Sequence, residues 1–269
     1  FPPSLEGSPV AYVVITTDEL VDAFEPLADW HTKTGLPTVI RTVSWIEDNY
    51  QGSDRAERIR NFIKDAYELW GTQWILLGGD HEDIPMRFVY VNLPAAGEYK
   101  TEPTDRYYAC LEGTWNGDGD DTFGEMEDSV DLYPEVFVGR LPARYQYEAE
   151  NMVQKILNYA QNPGNGDASY LEKALFLGSS MFQEGDGASL CEEVAAHFPD
   201  YLFKGKIYET ETHNPTTEEF IDSLNNGFGI VFTESHADFS FIRICFSPSH
   251  SFRVGHVYLL ENFDKPFFL

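Results

Sequence analysis

Two stretches of this sequence carry residue types arranged for chemistry. The first is Asn116-Gly117-Asp118-Gly119-Asp120-Asp121-Thr122-Phe123-Gly124-Glu125-Met126-Glu127, in which oxygen-bearing side chains alternate with glycine. Such a loop can curl and aim several oxygens at one point, as a hard cation of calcium size requires. On the spacing of an EF-hand loop, Asn116, Asp118 and Asp120 supply side chains, Thr122 a backbone carbonyl, and Glu127 both carboxylate oxygens. Asp121 stands at the sixth place, where that loop wants glycine. The competing reading is a solvated acidic turn. Five carboxylates in twelve residues repel one another without a cation, so structural calcium, clamping a long insert, is the expected cofactor.

The second stretch is Glu234-Ser235-His236-Ala237-Asp238, directly after the apolar run Phe228 to Thr233. A His just past the C-terminal end of a parallel strand sits where α/β folds build their sites. Imidazole is the side chain best suited to moving protons near neutral pH. Among the other histidines, His31 and His197 fall on helices, His81 and His213 in polar loops, and His250 and His256 flank a flexible stretch. Cys110, Cys191 and Cys245 are widely spaced and odd in number, forming neither a disulfide framework nor a zinc pattern. Each reads as a buried, inert thiol rather than a nucleophile. Asp80, Glu82 and Asp83 follow a strand; capping of the next turn is favoured over a second cation site.

The elements that position these residues alternate between strand and helix. Ala11 to Thr16 is a strand ending at a cap, Thr17-Asp18, and Glu19 to Lys33 is a helix. Pro37 to Val43 is a strand, Asp54 to Trp70 an amphipathic helix closed by Gly71, and Trp74 to Leu77 a buried strand. A polar insert runs from about Tyr99 to Asp131, then Glu135 to Val138 forms a strand and Glu148 to Ala160 a helix. Asn162 to Asp167 is the best linker candidate. The rhythm restarts with strand Lys173 to Gly178, helix Ala188 to His197 and strand Lys206 to Tyr208. Helix Thr217 to Asn225, strand Phe228 to Thr233 and a further strand beginning at Lys265 complete it. The expected fold is α/β with two tandem parallel-sheet subdomains, 1–148 and 149–269, the second truncated at its C-terminus.

Composition narrows the classes. Hydrophobic residues make up 42% of the 269, enough to build a core, so the chain is no disordered acidic tail. A formal net charge of −27 repels phosphate backbones and argues against a nucleic-acid partner. No run of about 18 apolar residues exists, so no membrane span is expected.

Several segments resemble the gingipain family of cysteine peptidases in unchanged order. They are Pro103-Thr104-Asp105-Arg106-Tyr107-Tyr108, Pro134 to Arg140 (PEVFVGR), Lys155 to Met181, Leu224 to Gly229 followed by Ser235-His236, and Lys265 to Leu269 (KPFFL). The resemblance implies a caspase-like fold in which His236 is the general base. It also implies a nucleophilic Cys a few residues beyond Leu269, on the strand that Lys265 begins. Protein or peptide substrates, a secreted or cell-surface location, and an inactive fragment follow from it. A second chain carrying the cysteine is a further possible partner. Asp105 and Arg140 match the family and are expected to tie the two subdomains together.

Two positions depart from the family pattern. Ala237 replaces the usual Gly after the His, and no carboxylate stands at Ser180-Met181, where the orienting acid falls. Glu184 and Asp186 are the candidates to reach in from the next turn. The reading is therefore a calcium-stabilised cysteine endopeptidase. The alternatives are a catalytically inactive binding or scaffold module, and a calcium-binding adhesion domain.

Overall fold

The computed structural model describes residues 9–93, 98–120, 122–182 and 185–267, in two compact units, Phe1–Gln154 and Lys155–Leu269. The first contains β1 (Tyr12–Thr16), α1 (Val21–Lys33), β2 (Thr38–Thr42), α2 (Val43–Asn49), α3 (Arg55–Trp70) and β3 (Trp74–Gly78). After these come β4 (Arg87–Leu93), β5 (Glu98–Thr104), α4 (Arg106–Ala109) and β6 (Phe137–Leu141). Helix α5 (Gln146–Gln161) contains both the division between units and the boundary expected after residue 148.

Strands β2-β1-β3-β6 form a sheet in which every neighbour is parallel. Strand alternation sends Val13, Ile15, Ile75 and Leu77 to one face. There they share a buried cluster with Ile59, Phe62, Ile63 and Ala66, which recur along α3 at helical spacing. Asp54 starts that helix: its Oδ1 accepts from the Glu57 amide at 2.8 Å, and its carboxylate also takes a two-bond fork from Arg87. The cap expected at Thr17-Asp18 does not form. α1 begins later, at Val21, with Leu20 at the cap position and no side chain capping it.

The polar insert is more ordered than its composition implied. It includes most of β5, which pairs antiparallel with β4 ahead of it, and α4, whose Tyr107 and Tyr108 are buried. The buried Arg60 guanidinium donates to the carbonyls of Tyr107, Cys110 and Leu111, so the segment's backbone acceptors are satisfied without water. β6 starts two residues later than expected, because the amides of Glu135 and Val136 turn toward the Ala109 carbonyl instead of the sheet.

The Asp105–Arg140 pair is a two-bond fork, with both contacts at 2.7 Å, and it does not tie the subdomains together as expected. Both residues lie in the first unit. Arg140 extends further to the carbonyls of Gly79 and Ile84, fastening β6 to the turn after β3. Asp80 Oδ1 accepts from the amides of Glu82 and Asp83, the capping role favoured from sequence.

The second unit holds β7 (Lys173–Gly178), α6 (Asp186–Ala195), β8 (Phe203–Tyr208), α7 (Thr217–Asn225) and β9 (Ile230–Glu234). Its parallel sheet runs β8-β7-β9. Leu175, Leu177, Phe220, Leu224 and Val231 pack on one face, and Ala174, Phe176, Cys191 and Ala195 on the other. An antiparallel sheet, β10 (Ala237–Asp238), β11 (Phe241–Cys245) and β12 (His250–Arg253), follows. It occupies a stretch to which the sequence reading assigned no element.

Two further expectations change. The candidate linker at Asn162 to Asp167 is part of the second unit: Gly164 is buried, and its amide donates to the Asp264 carbonyl at 2.9 Å. Lys265 to Phe267 form no strand, and Phe268 and Leu269 lie outside the described residues. Among the described residues, no helix is long and apolar enough to cross a membrane.

Candidate active site and acidic loop

The C-terminal ends of three parallel strands converge on one spot in the second unit. β7 runs out into Ser179-Ser180-Met181-Phe182, β8 into Glu209-Thr210-Glu211, and β9 into Ser235-His236. Strand ends of a parallel sheet are where backbone groups lose their ladder partners and side chains can meet a ligand. An open cavity of about 530 Å³ lies there, lined by residues that include Ser180, Phe182, Glu209, Glu211 and Phe246.

Glu209 builds the floor. It is only 6% exposed, yet its carboxylate is satisfied by the amides of Ser180 at 2.8 Å, Phe246 at 3.0 Å and Ser247 at 3.2 Å. Burial alone raises its pKa. The three amides outweigh burial and hold the carboxyl below the usual glutamate range. One anion thus stitches the segment after β7 to the turn between β11 and β12.

His236 is exposed beside this floor, and its Nε2 lies 3.1 Å from the Met181 carbonyl oxygen. The Phe182 ring, 90% exposed, meets the imidazole edge-on at 6.0 Å between centroids. The Arg243 amide donates to the His236 carbonyl at 2.8 Å, so β11 fixes the backbone behind the ring. Ala237 begins β10. Among the described residues, non-glycine positions at positive φ are Ser129 and Asn165, so alanine after the His carries no backbone strain.

Two acids were considered as orienting partners of His236. Glu184 lies outside the described residues. Asp186, in the first turn of α6, accepts from the amides of Met181 at 2.7 Å, Phe182 at 2.8 Å and Gly187 at 2.8 Å. Gly187 lets that turn approach closely, since a Cβ there would stand 2.8 Å from the Glu234 carbonyl oxygen.

All three cysteines are buried and free of disulfides. Burial, and then the Glu209 carboxylate, push the Cys245 thiol up to about 11. Burial first, then Glu234, push Cys191 to about 12. Burial likewise raises Cys110. None is poised as a thiolate.

In the first unit, the acidic loop brings together Asp118, Asp120 and Glu125, each with an oxygen within 4.8 Å of the others. Asn116 Oδ1 is buried and accepts no hydrogen bond. The Thr122 amide donates to Asp120 Oδ1 at 2.7 Å, so that carboxylate helps close the turn. Glu127 is exposed and outside this cluster. Glu125 stands in the place expected of it, and Asp121 lies outside the described residues. The buried carboxylate is the neighbour, Asp128, which accepts from the amides of Gly117, Gly124 and Glu125. The three converging carboxylates are the kind of donors a hard cation takes.

A sequence profile of peptidase family C25 matches residues 6–267. The chain belongs to this family of cysteine peptidases. It is 23% identical to gingipain R2 of Porphyromonas gingivalis over 259 residues, covering 94% of this chain and 30% of that protein. An uncharacterized protein of Archaeoglobus fulgidus is 24% identical over 83% of this chain and 56% of its own length. The chain therefore spans only part of the length of the relatives it matches. The crystal structure of the Arg-specific cysteine proteinase gingipain R superposes with a TM-score of 0.66 at 22% identity, over 96% of this chain and 54% of that one. A structure described simply as a protease gives 0.70 at 19% identity, over 99% and 52%. The C25 chain accordingly has the caspase-like α/β fold.

Sequence reasoning singled out His236 but missed Glu209, which reads as one more polar residue after a strand. The Met181 contact is made by a backbone atom and has no side-chain signature. Glu125 was present in the acidic motif, but the EF-hand template passed over it.

Proposed function

We propose that this chain is the greater part of a secreted, gingipain-like cysteine endopeptidase domain in which His236 is the general base. The nucleophile in this reading is a cysteine outside the 269 residues, on the continuing chain or on a second one. The observation that carries the proposal is where Lys265 to Phe267 enter. The Lys265 side chain packs at Gly227, just before β9, and Phe267 packs against the core cluster containing Val231. β9 is an edge of its sheet among the described residues. A strand continuing from Phe267 parallel to β9, rising about 3.3 Å per residue, reaches the level of His236 within about ten residues. There the imidazole takes the thiol's proton, the thiolate attacks a peptide carbonyl, and the imidazolium protonates the leaving amine. Peptide substrates enter the cavity floored by Glu209.

Calcium in the loop of Asp118, Asp120 and Glu125 is part of the same proposal, with Asn116 as a further donor. Its role is to neutralise the loop and hold the insert, remote in chemistry from the imidazole. The second reading, an inactive binding or scaffold module, is favoured by one observation: His236 contacts a carbonyl where the family has a carboxylate. A thiol-reactive peptide probe on the full-length gene product separates the two. Labelling of a cysteine beyond Leu269, lost in His236→Ala, supports the enzyme; absence of labelling supports the scaffold.

A further inference from the structure

We infer that the Met181–Phe182 peptide group orients His236, and that Asp186 is the positioning residue acting through it. This rests on His236 as the base, but its chemistry is testable without any nucleophile.

The argument is geometric. One planar peptide carries the Met181 carbonyl and the Phe182 amide, and in a trans peptide these point in opposite directions. The amide donates to Asp186 at 2.8 Å, while the carbonyl faces His236 Nε2 at 3.1 Å. The same carboxylate grips the Met181 amide at 2.7 Å, so the peptide cannot turn about its flanking bonds without breaking a charge-assisted hydrogen bond. The Phe182 ring, on the same peptide, makes a T-shaped contact with the imidazole.

Two consequences follow. A carbonyl oxygen only accepts, so Nε2 must be the protonated nitrogen of the neutral ring, and Nδ1 keeps the lone pair that a base needs. A carboxylate pulling on the amide polarises the peptide, which strengthens its carbonyl as an acceptor. Negative charge at Asp186 is thereby passed to the imidazole across one peptide unit. An acid in direct contact with the ring becomes unnecessary.

The experiment is ¹H–¹⁵N NMR on ¹⁵N-histidine-labelled protein, following the tautomer of His236 and the solvent exchange of its Nε2–H. The expected result is an Nε2–H tautomer with slowed exchange in the unaltered chain. In Asp186→Ala, exchange quickens by about fivefold to tenfold, the equivalent of one hydrogen bond. Asp186→Asn, which keeps an accepting oxygen, restores much of the protection. A protonated Nδ1, exchange as fast as in free histidine, or unchanged protection in a folded Asp186→Ala variant overturns the inference. Because the unaltered chain alone can refute it, a misfolding variant leaves the test intact. A failed probe-labelling experiment would reject the peptidase reading separately.

Discussion

Lys265 lies directly over Gly227: a Cβ on that glycine would stand 2.7 Å from the lysine Cδ. Gly227 adopts φ +82°, leading the chain from α7 into β9. The close approach brings the C-terminal segment beside the start of β9, the strand that runs out into His236. In Gly227→Ala, the left-handed backbone alone costs about 1–2 kcal/mol. That lowers the melting temperature by about 3–6 °C. The lysine tail is flexible, so adding Lys265→Ala recovers little of the loss. Full recovery in the double variant would place the cost in the contact instead of in φ.

Legibility followed local strength. β7 and α7 were read at their observed bounds: the first is a compact apolar run, and the second opens at Thr216, whose side chain accepts from the Glu219 amide. Where tertiary bonds overrode local pattern, the reading slipped. β6 moved because Glu135 and Val136 are held by the Ala109 carbonyl, a partner far off in sequence. β4–β5 escaped notice because β5 carries Glu98, Lys100, Glu102 and Pro103, residues poor in strand propensity. His236 stood out in the sequence because an imidazole side chain is itself able to do chemistry. Its partner at Met181 did not, being a backbone carbonyl whose position depends on Asp186.

The native thiols should be inert. With Cys245 raised to about 11 and Cys191 to about 12, and all three buried, thiolate is scarce at neutral pH. Reaction with a small disulfide reagent is expected to proceed on the timescale of unfolding, and to become rapid for all three in denaturant. Fast modification of any one in the native chain would contradict the burial argument and reopen that thiol as a nucleophile.

Acid should loosen the floor of the cavity. The carboxyls of Glu209 and Asp54 are held below their ordinary ranges by hydrogen bonds that outweigh burial, so the folded state binds fewer protons than the unfolded one there. Their contributions are complete above the unfolded values and are lost as pH falls through the folded ones. Stability should decline below about pH 4.5. Glu209→Gln should lower stability at neutral pH and shrink that decline. A variant whose acid dependence matches the unaltered chain would refute the role given to Glu209.

Calcium should invert the effect of one substitution. Partial desolvation and then the charges of Asp120 and Asp118 push the Glu125 carboxyl above its usual range. Without the cation, Glu125→Gln relieves repulsion and should leave the melting temperature unchanged or higher. With calcium added, the unaltered chain should gain stability and the variant should gain less, in proportion to binding. A melting temperature indifferent to chelator in both proteins would reduce the loop to a solvated acidic turn.

The decisive experiment is mass-spectrometric mapping of a thiol-reactive peptide probe on the full-length gene product. The account requires a single labelled cysteine within about ten residues after Leu269, at the end of a strand paired with β9, with labelling abolished by His236→Ala. Labelling at Cys110, Cys191 or Cys245, labelling indifferent to His236, or no labelled cysteine in that segment would contradict it.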